Sequence, residues 1–171
     1  MIISLIGLTG TGKTTIGRLL AARLHLDFTD LDESIVLQEG KSIPDIFAAA
    51  GEEGFRDIES ELLQQQCAST SRIISTGGGA VLRDENRKCL LQAGPVIWLD
   101  APQEVIAQRV SGDTNRPLIY NSDPSQKVNE MDRLRREFYR DCASCIVDTS
   151  RAGVEETVDA IMAYLSESGH V

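Results

Sequence analysis

The chain begins with a short apolar run, Ile2–Ile6, which leads directly into the octet Gly7–Thr14. The octet, GLTGTGKT, fits the phosphate-loop pattern G-x-x-x-x-G-K-[ST] at every fixed position. Glycines let the backbone curl so that successive N–H groups face phosphate oxygens. The apolar run predicts a strand before this loop, and Thr14–Leu24 predicts a helix after it. Because both neighbours are present, a nucleoside triphosphate site is favoured over a chance glycine-rich turn.

Each residue type in the loop suits a triphosphate. Lys13 supplies positive charge for the outer phosphates, and the Thr14 hydroxyl can ligate Mg²⁺. The N-terminus of the following helix adds the equivalent of about half a positive charge. The residues that we expect to bind the nucleoside triphosphate in this segment are Gly10, Thr11, Gly12, Lys13, Thr14 and Thr15.

Apolar segments typical of buried parallel strands alternate with helical patterns along the rest of the chain. This alternation predicts an α/β fold, a parallel sheet sandwiched between helices, and 171 residues are consistent with one domain, 1–171. The predicted strands are Ile2–Ile6, Asp27–Thr29, Arg72–Ser75, Val96–Leu99 and Cys145–Val147. The predicted helices are Thr14–Leu24, Leu31–Glu39, Ile43–Ala50, Glu52–Cys67, Asp84–Gln92, Pro102–Arg109, Pro124–Cys142 and Val154–Ser166.

Charge and hydropathy exclude several classes of partner. The net charge of −9 argues against nucleic acid, because phosphate backbones need clustered Lys and Arg. No apolar run approaches the ~20 residues of a membrane span, and we expect no signal or transit peptide. The cytoplasm is therefore the expected location. No long apolar stripe demands an oligomer, so the expected state is a monomer.

Four cysteines occur, at Cys67, Cys89, Cys142 and Cys145. The last two have the C-x-x-C spacing of a redox pair or half of a zinc site. The chain has two histidines and no second C-x-x-C, so a four-ligand zinc site is hard to assemble. We expect the cysteines to act as small buried hydrophobic residues.

Polar residues follow the second predicted strand, and ligands of parallel sheets gather at the carboxyl ends of strands. Asp30 and Asp32 lie there, two positions apart. One of them could be a helix N-cap. The functional interpretation, which we favour, puts Asp30 near Mg²⁺ and Asp32 against a substrate hydroxyl as the acceptor for its proton.

Three consecutive glycines, Gly77, Gly78 and Gly79, follow the third predicted strand. They can offer backbone N–H groups to an anion or a polyol at close range, although a flexible turn is the alternative.

Arg56 lies early in a predicted helix with Glu59 three positions later. Taken alone, this spacing favours an exposed ion pair. The alternative is an arginine braced by Glu59 for a carboxylate ligand.

The segment Ser111–Ser125 lacks periodicity and carries Arg116, and Arg109 precedes it. It predicts a mobile lid, about 110–125, that closes over the reacting groups and brings Arg116 onto the transferred phosphoryl group. A solvated surface loop is the alternative. Arg135 and Arg136 follow in the next predicted helix, shortly before Tyr139.

Taken together, these segments resemble the shikimate kinases, small phosphate-loop kinases related in fold to the nucleoside monophosphate kinases. The resemblance runs from Ile3 to about Leu165. The matching stretches are GLTGTGKTTIGRLLA, DLDESI, GKSIPDIFAAAGEEGFRDIE, ISTGGGAV, RPL and the Arg135…Tyr139 pair.

The resemblance implies a three-layer α/β/α fold with a five-stranded parallel sheet in the order 2-3-1-4-5. It implies ATP-dependent phosphorylation of the 3-hydroxyl of shikimate, with Mg²⁺ as cofactor. Lys13, Asp32 and Arg116 would then be catalytic, and Asp30, together with Thr14, would hold the metal, through water in the case of Asp30. Arg109 would stack on the adenine. The residues that the resemblance places against shikimate are Asp32, Arg56, Gly77, Gly78, Gly79 and Arg135.

The chain departs from the family pattern at Glu137, where the family usually has proline. A helix interior accepts Glu more readily than Pro, so we expect this helix to continue. Two arginines of this helix, Arg135 and Arg136, are then alternative ligands for the substrate carboxylate. Rival functions are another small-molecule kinase of this fold, such as a gluconate or nucleoside monophosphate kinase, and a non-catalytic nucleotide-binding regulatory module.

Overall fold

The computed structural model describes residues 1–111 and 123–170, which fold into a five-stranded sheet flanked by helices. The strands are β1 (Ile2–Ile6), β2 (Asp27–Asp30), β3 (Arg72–Ser75), β4 (Val96–Asp100) and β5 (Cys145–Asp148). The helices are α1 (Lys13–Leu24), α2 (Leu31–Glu39), α3 (Ile43–Cys67), α4 (Asp84–Ala93), α5 (Gln103–Val110), α6 (Pro124–Cys142) and α7 (Val154–Glu167), with a 3₁₀ turn at Ala80–Leu82.

The sheet is entirely parallel, in the order β2-β3-β1-β4-β5. Both the fold class and the strand order implied by the resemblance are therefore confirmed. Strand β1 is central and fully buried, as its unbroken apolar sequence requires when helices cover both faces. All carboxyl ends meet at one edge, so the loop after β1 lies beside the ends of β2 and β3.

Two apolar layers hold the helices to the sheet. On one face, Ile3 and Leu5 of β1 pack with residues of α1 and α7. On the other face, Ile6 and Trp98 belong to a larger cluster that includes residues of α3, α5 and α6. This arrangement is the predicted sandwich of helix, sheet and helix. In the described ranges, none of the helices combines the length and apolar character needed to cross a bilayer.

Helix α3 is interrupted at Gly51, whose φ of 70° and ψ of −177° lie outside helical conformations. The prediction of two helices, one before and one after Gly51, is thus correct in substance. The first segment begins after Ser42 and has Pro44 in its first turn. Ser42 is the N-cap, and its hydroxyl accepts a hydrogen bond from the Asp45 amide. The second segment carries Arg56, so this break sets where that side chain points.

Candidate active site

The phosphate loop forms the floor of the site between β1 and α1. Gly7, Gly10 and Gly12 all have positive φ, which a side chain would strain. A Cβ on Gly7 would lie 2.2 Å from the Leu99 carbonyl oxygen, so this glycine also lets the loop pass against β4. The motif therefore has the curled backbone that its sequence predicts.

Hydrogen bonds inside the loop hold the side chains of Lys13 and Thr11. The Lys13 ammonium donates to the carbonyls of Gly7 and Leu8 at 2.8 and 2.9 Å. Thr11 donates to the Leu8 carbonyl at 2.8 Å and is buried. Because Lys13 lies at the first position of α1, its charge adds to that of the helix N-terminus. This combination favours a bound polyphosphate.

Asp30 joins the phosphate loop to the neighbouring strands. One of its carboxylate oxygens, Oδ2, accepts hydrogen bonds from Thr14 at 2.6 Å and from Ser75 at 3.0 Å. The other, Oδ1, accepts from the backbone amides of Asp32 and Glu33 at 3.0 and 3.3 Å. Asp30 is therefore the N-cap of α2 and a neighbour of Thr14 at once, so the capping and metal interpretations are not exclusive.

The donor set at this point fits a magnesium ion. A threonine hydroxyl and a carboxylate, 2.6 Å apart, are hard oxygen ligands of the kind that Mg²⁺ prefers beside substrate phosphates. Thr14 and Asp30 are the residues that would hold it.

Asp32 lies in the first turn of α2, two residues beyond the cap. Its Oδ1 would be 3.0 Å from a Cβ on Gly77, so it lies against the backbone of the glycine-rich segment. It also lines a cavity of about 220 Å³ that opens over the phosphate loop. The residues around this cavity are Gly10, Gly12, Lys13, Thr14, Thr15, Asp30, Asp32, Ser75, Thr76 and Gly78.

The three consecutive glycines bring their backbone into contact with three different groups. A Cβ on Gly77 would lie 2.3 Å from Glu59 Oε1, and one on Gly79 would lie 2.2 Å from the Arg56 guanidinium. A Cβ on Gly78 would lie 3.3 Å from the Thr9 amide. The absence of side chains therefore lets these groups approach the backbone closely, which a merely flexible turn would not need.

Arg56 and Glu59 form a buried ion pair 2.6 Å long. Their side chains are 7% and 0% exposed, so the interpretation as an exposed pair is wrong. Burial raises the pKa of the Glu59 carboxyl, and the neighbouring Arg56 opposes that shift. Within the described part of the chain, Arg56 Nε and Glu59 Oε1 are buried without a hydrogen-bond partner. The pair is thus braced and still has hydrogen-bonding capacity for a ligand.

The two arginines of α6 have different surroundings. Arg135 is buried, and its Nη1 would be 3.5 Å from a Cβ on Gly78. Arg136 instead pairs with Asp100 and Asp132 at 3.1 and 3.0 Å and lies over the Trp98 ring. Arg135 therefore faces the glycine-rich segment while Arg136 is engaged elsewhere. Helix α6 continues through Glu137, as expected.

Two contributors to this site were not singled out from the sequence. The Tyr139 hydroxyl donates to the Gly78 carbonyl, and burial raises the pKa of that hydroxyl above its usual range. Ser75 donates to Asp30, as described above. The position of Ser75 at the end of a predicted strand was a usable signal, since the same rule identified Asp30. Tyr139 was noted only as part of a family motif.

Arg109 lies at the end of α5 beside the phosphate loop. Its guanidinium donates to the Gly10 carbonyl at 3.2 Å and to the Thr149 carbonyl at 2.8 Å. Most of the predicted lid, including Arg116, lies outside the described residues. At its two ends, Val110 closes α5 and Pro124 opens α6.

The cysteines are all free thiols. Cys142 is buried as expected, and burial raises its pKa to about 11. Cys67, Cys89 and Cys145 are only partly buried, so the expectation of buried cysteines is correct for one of the four. Among residues 1–111 and 123–170, no cluster of three or more His, Cys, Asp or Glu side chains is arranged to hold a metal ion.

These groups together suit phosphoryl transfer to a hydroxyl of an acid. The phosphate loop has the backbone and the charge that suit a polyphosphate, and Asp32 is a carboxylate acceptor beside it. Buried guanidinium groups of Arg56 and Arg135 lie across the glycine-rich segment, where they can bind an anion. Transfer of a phosphoryl group depends mainly on such positioning and charge compensation.

Comparisons with known proteins agree with this chemistry. The family model described as Shikimate kinase matches residues 9–166. A shikimate kinase from Symbiobacterium thermophilum is 44% identical, over 99% of this chain and 98% of the relative. One from Pseudomonas syringae pv. syringae is 42% identical, over 95% of each chain.

Solved structures give the same result. A shikimate kinase from Acinetobacter baumannii in complex with shikimate superposes with a TM-score of 0.95 at 35% identity, covering 98% of this chain and 93% of that chain. A gluconokinase from Sinorhizobium meliloti superposes with a TM-score of 0.63 at 17% identity, covering 96% of this chain and 91% of that one. The second likeness shows a shared fold alone.

Proposed function

Since the chain belongs to the shikimate kinase family, we propose that it transfers the γ-phosphoryl group of ATP to the 3-hydroxyl of shikimate. The chain is a kinase, an enzyme that uses an alcohol as the phosphoryl acceptor. One observation carries the assignment to an acidic polyol. Asp32 beside the phosphate loop and the buried Arg56–Glu59 pair lie against the same glycine-rich backbone. A single domain would perform the whole reaction.

Lys13 and the amides at the start of α1 bind the β- and γ-phosphates of ATP in this proposal. Gly10, Thr11, Gly12 and Thr15 complete the phosphate site. Thr14 and, through water, Asp30 would hold Mg²⁺, which would screen the phosphate charge when bound. Asp30 also keeps α2 at a fixed distance from the phosphate loop, because its two oxygens bond to both.

Asp32 accepts the hydrogen bond of the attacking hydroxyl, orients it toward the γ-phosphorus and receives its proton. The carboxylate suits this role, since it has only acceptor atoms when ionised. The position of Asp32 in the first turn of α2 supports the assignment, because Asp30, the N-cap of that helix, fixes the turn.

Arg56 and Arg135 bind the carboxylate of shikimate. A planar guanidinium can make two parallel hydrogen bonds to a carboxylate, which an ammonium cannot. Both arginines have a buried Nε that bonds to no acceptor within the described ranges, which supports a ligand there. The backbone of Gly77–Gly79 forms the wall between Asp32 and the two arginines, so it lines the pocket for the ring.

Arg116 would contact the transferred phosphoryl group, and Arg109 would contact the adenine. The position of Arg109 at the Gly10 carbonyl supports a place for it near the nucleotide. We further propose a monomer in the cytoplasm that acts on small molecules and has no nucleic-acid or membrane partner. The net charge of −9 supports the absence of a nucleic-acid partner.

An assay of ADP release tests the function. The protein is incubated with ATP, Mg²⁺ and one acceptor at a time: shikimate, gluconate or a nucleoside monophosphate. We expect ADP release that depends on shikimate, with phosphate on its 3-hydroxyl by NMR. The other two acceptors should give the background rate. Folded protein that binds ATP and shows no shikimate-dependent release would refute the proposal.

A further inference from the structure

The part of α3 that carries Arg56 is separated by a break in the helical backbone from the segment that precedes it. The backbone leaves the helical conformation at Gly51, and the second segment begins at the next residue. Arg56 lies about one turn beyond that break. First turns of helices lack the backbone hydrogen bonds that fix later turns. The burial of Phe55 in the core holds one side of this segment, and contacts on its other sides add to the control of its rotation.

Arg83 makes contacts that can do so. It follows the 3₁₀ turn after the three glycines and points its guanidinium at one side of α3. Its Nη2 donates to the Asp57 carboxylate at 2.7 Å and to the carboxylate and carbonyl of Glu53 at 3.3 and 3.4 Å. Its Nη1 donates to the Ser60 hydroxyl at 3.3 Å. The planar guanidinium of Arg83 thus bonds to acceptors on two successive turns of α3.

The residues of α3 that accept hydrogen bonds from Arg83 lie on the helix surface next to the residues that face the proposed substrate pocket. Successive helical residues are rotated by about 100°, so Glu53 and Asp57 lie one position around from Glu52 and Arg56. Because Arg83 holds Glu53 and Asp57, it fixes the rotation of the helix about its axis. That rotation decides where the Arg56 guanidinium points.

The same short segment approaches Arg56 at a second point. The Leu82 amide donates to the Gly79 carbonyl at 3.0 Å, which closes the turn between Gly79 and Arg83. Gly79 itself lies against the Arg56 guanidinium, where a Cβ would be 2.2 Å away. The segment from Gly79 to Arg83 therefore contacts α3 on two sides of Arg56.

We propose that Arg83 is a positioning residue for the shikimate carboxylate, acting by holding α3 so that Arg56 aims into the pocket. This inference rests on the proposed function, because it assigns Arg56 to that carboxylate. The carboxylates of Glu53 and Asp57 are 91% and 73% exposed, so their ion pairs with Arg83 add little to stability. The contribution of Arg83 is one of geometry.

Arg83→Met tests this, with Arg23→Met as the matched control. Arg23 likewise spans two carboxylates four positions apart, Glu155 and Asp159, but on α7 at the opposite face of the sheet. For Arg83→Met we expect the KM for shikimate to rise by about three- to tenfold, while kcat and the KM for ATP stay within about twofold. Arg23→Met should leave all three constants unchanged.

Two further variants keep the inference testable if Arg83→Met does not fold. Arg83→Lys should restore part of the shikimate affinity, because an ammonium can reach one acceptor but cannot span several. Asp57→Asn should raise the KM for shikimate in the same direction, with Asp159→Asn as its control. Calorimetric titration with shikimate should show the same order of affinities.

Opposite outcomes have distinct meanings. An unchanged KM for shikimate in folded Arg83→Met or Asp57→Asn, beside an active wild type, would overturn the role of Arg83 alone. Equal shifts in Arg83→Met and Arg23→Met would also overturn it, since they would indicate general destabilisation. A wild type without shikimate-dependent turnover would instead count against the proposed function.

Discussion

Asp30 shows how much a single side chain can organise at this site. It accepts hydrogen bonds from Thr14, from Ser75 and from two amides of α2. A carboxylate has enough lone pairs for all four donors. The phosphate loop, the end of β3 and the turn that carries Asp32 are therefore held at fixed separations by one residue.

Asp32→Asn is expected to lower kcat by about 100- to 10,000-fold, because the amide cannot receive the proton of the attacking hydroxyl. ATP binding, measured by calorimetry, should survive, since the phosphate loop is unchanged. Glu33→Gln is the control: Glu33 lies in the same turn, is 62% exposed and pairs with Arg18 on the surface. A near-normal turnover of Asp32→Asn would remove Asp32 from the mechanism.

Gly79→Ala is expected to raise the KM for shikimate by about 10- to 100-fold, because the added methyl group displaces the Arg56 guanidinium. The KM for ATP should change little. Gly153→Ala is the control, since Gly153 has a φ of −68° and a Cβ there would meet Glu156 Oε2 at 4.0 Å, an ordinary contact distance. Steady-state kinetics that show equal shikimate KM values for both variants would contradict this contact.

At the level of elements, helix α3 depends on its interruption. Gly51 has a φ of 70° and a ψ of −177°, a region that is essentially restricted to glycine. Among residues 1–111 and 123–170, no atom outside the adjoining backbone lies within 4 Å of a Cβ placed there, so any penalty for a side chain arises from the backbone conformation. The break redirects the chain between two helical segments and so decides which residues of the second segment face the pocket.

Gly51→Ala is therefore expected to lower the free energy of unfolding by about 1–3 kcal/mol. In a chain of this length the midpoint of thermal unfolding should fall by about 2–4 °C for each kcal/mol. Differential scanning calorimetry of Gly51→Ala beside Gly153→Ala measures the difference. An unfolding temperature equal to that of the control would show that the backbone at Gly51 is not strained by a side chain.

Helix α6 illustrates how one rotation separates neighbouring residues. Arg135 and Arg136 are adjacent in sequence, but about 100° of helical rotation divides them. One faces the glycine-rich segment, and the other is bound by Asp100 and Asp132. Because α6 is unbroken at Glu137, the same helical rotation holds as far as Tyr139. Tyr139 lies four positions after Arg135, about one turn later, and so on the same side of the helix.

For the whole molecule, the parallel sheet explains why residues distant in sequence share one pocket. Every strand ends at the same edge, so β1, β2 and β3 deliver Lys13, Asp32 and the three glycines to one place. The two apolar layers hold the helices that carry the arginines against this sheet. Ligands should therefore stabilise the entire fold.

ADP with Mg²⁺, or shikimate, at about 100 times its dissociation constant is expected to stabilise the protein by about 2.7 kcal/mol. The unfolding temperature should rise by about 2–4 °C per kcal/mol. Addition of EDTA should remove part of the ADP effect and abolish turnover, because the proposed ligands Thr14 and Asp30 would lose Mg²⁺. Gluconate serves as the control and should cause no shift; an equal shift with gluconate would contradict a shikimate-specific pocket.

The sequence by itself determined the phosphate loop, the alternation of strands and helices, and the break near Gly51. Each of these depends on residues within one short segment, where the spacing of glycines and apolar side chains decides the backbone conformation. The resemblance to a family supplied the strand order, which no local pattern contains.

Only the tertiary structure decided that Arg56 and Glu59 are buried, that the three glycines permit close approach, and that Arg135 rather than Arg136 faces them. The contacts of Ser75 and Arg83 also belong to this group. Burial and close approach depend on which distant segments meet, and that depends on how the helices pack over the sheet. Hydrogen-bond partners tens of residues apart cannot be deduced from spacing along the chain.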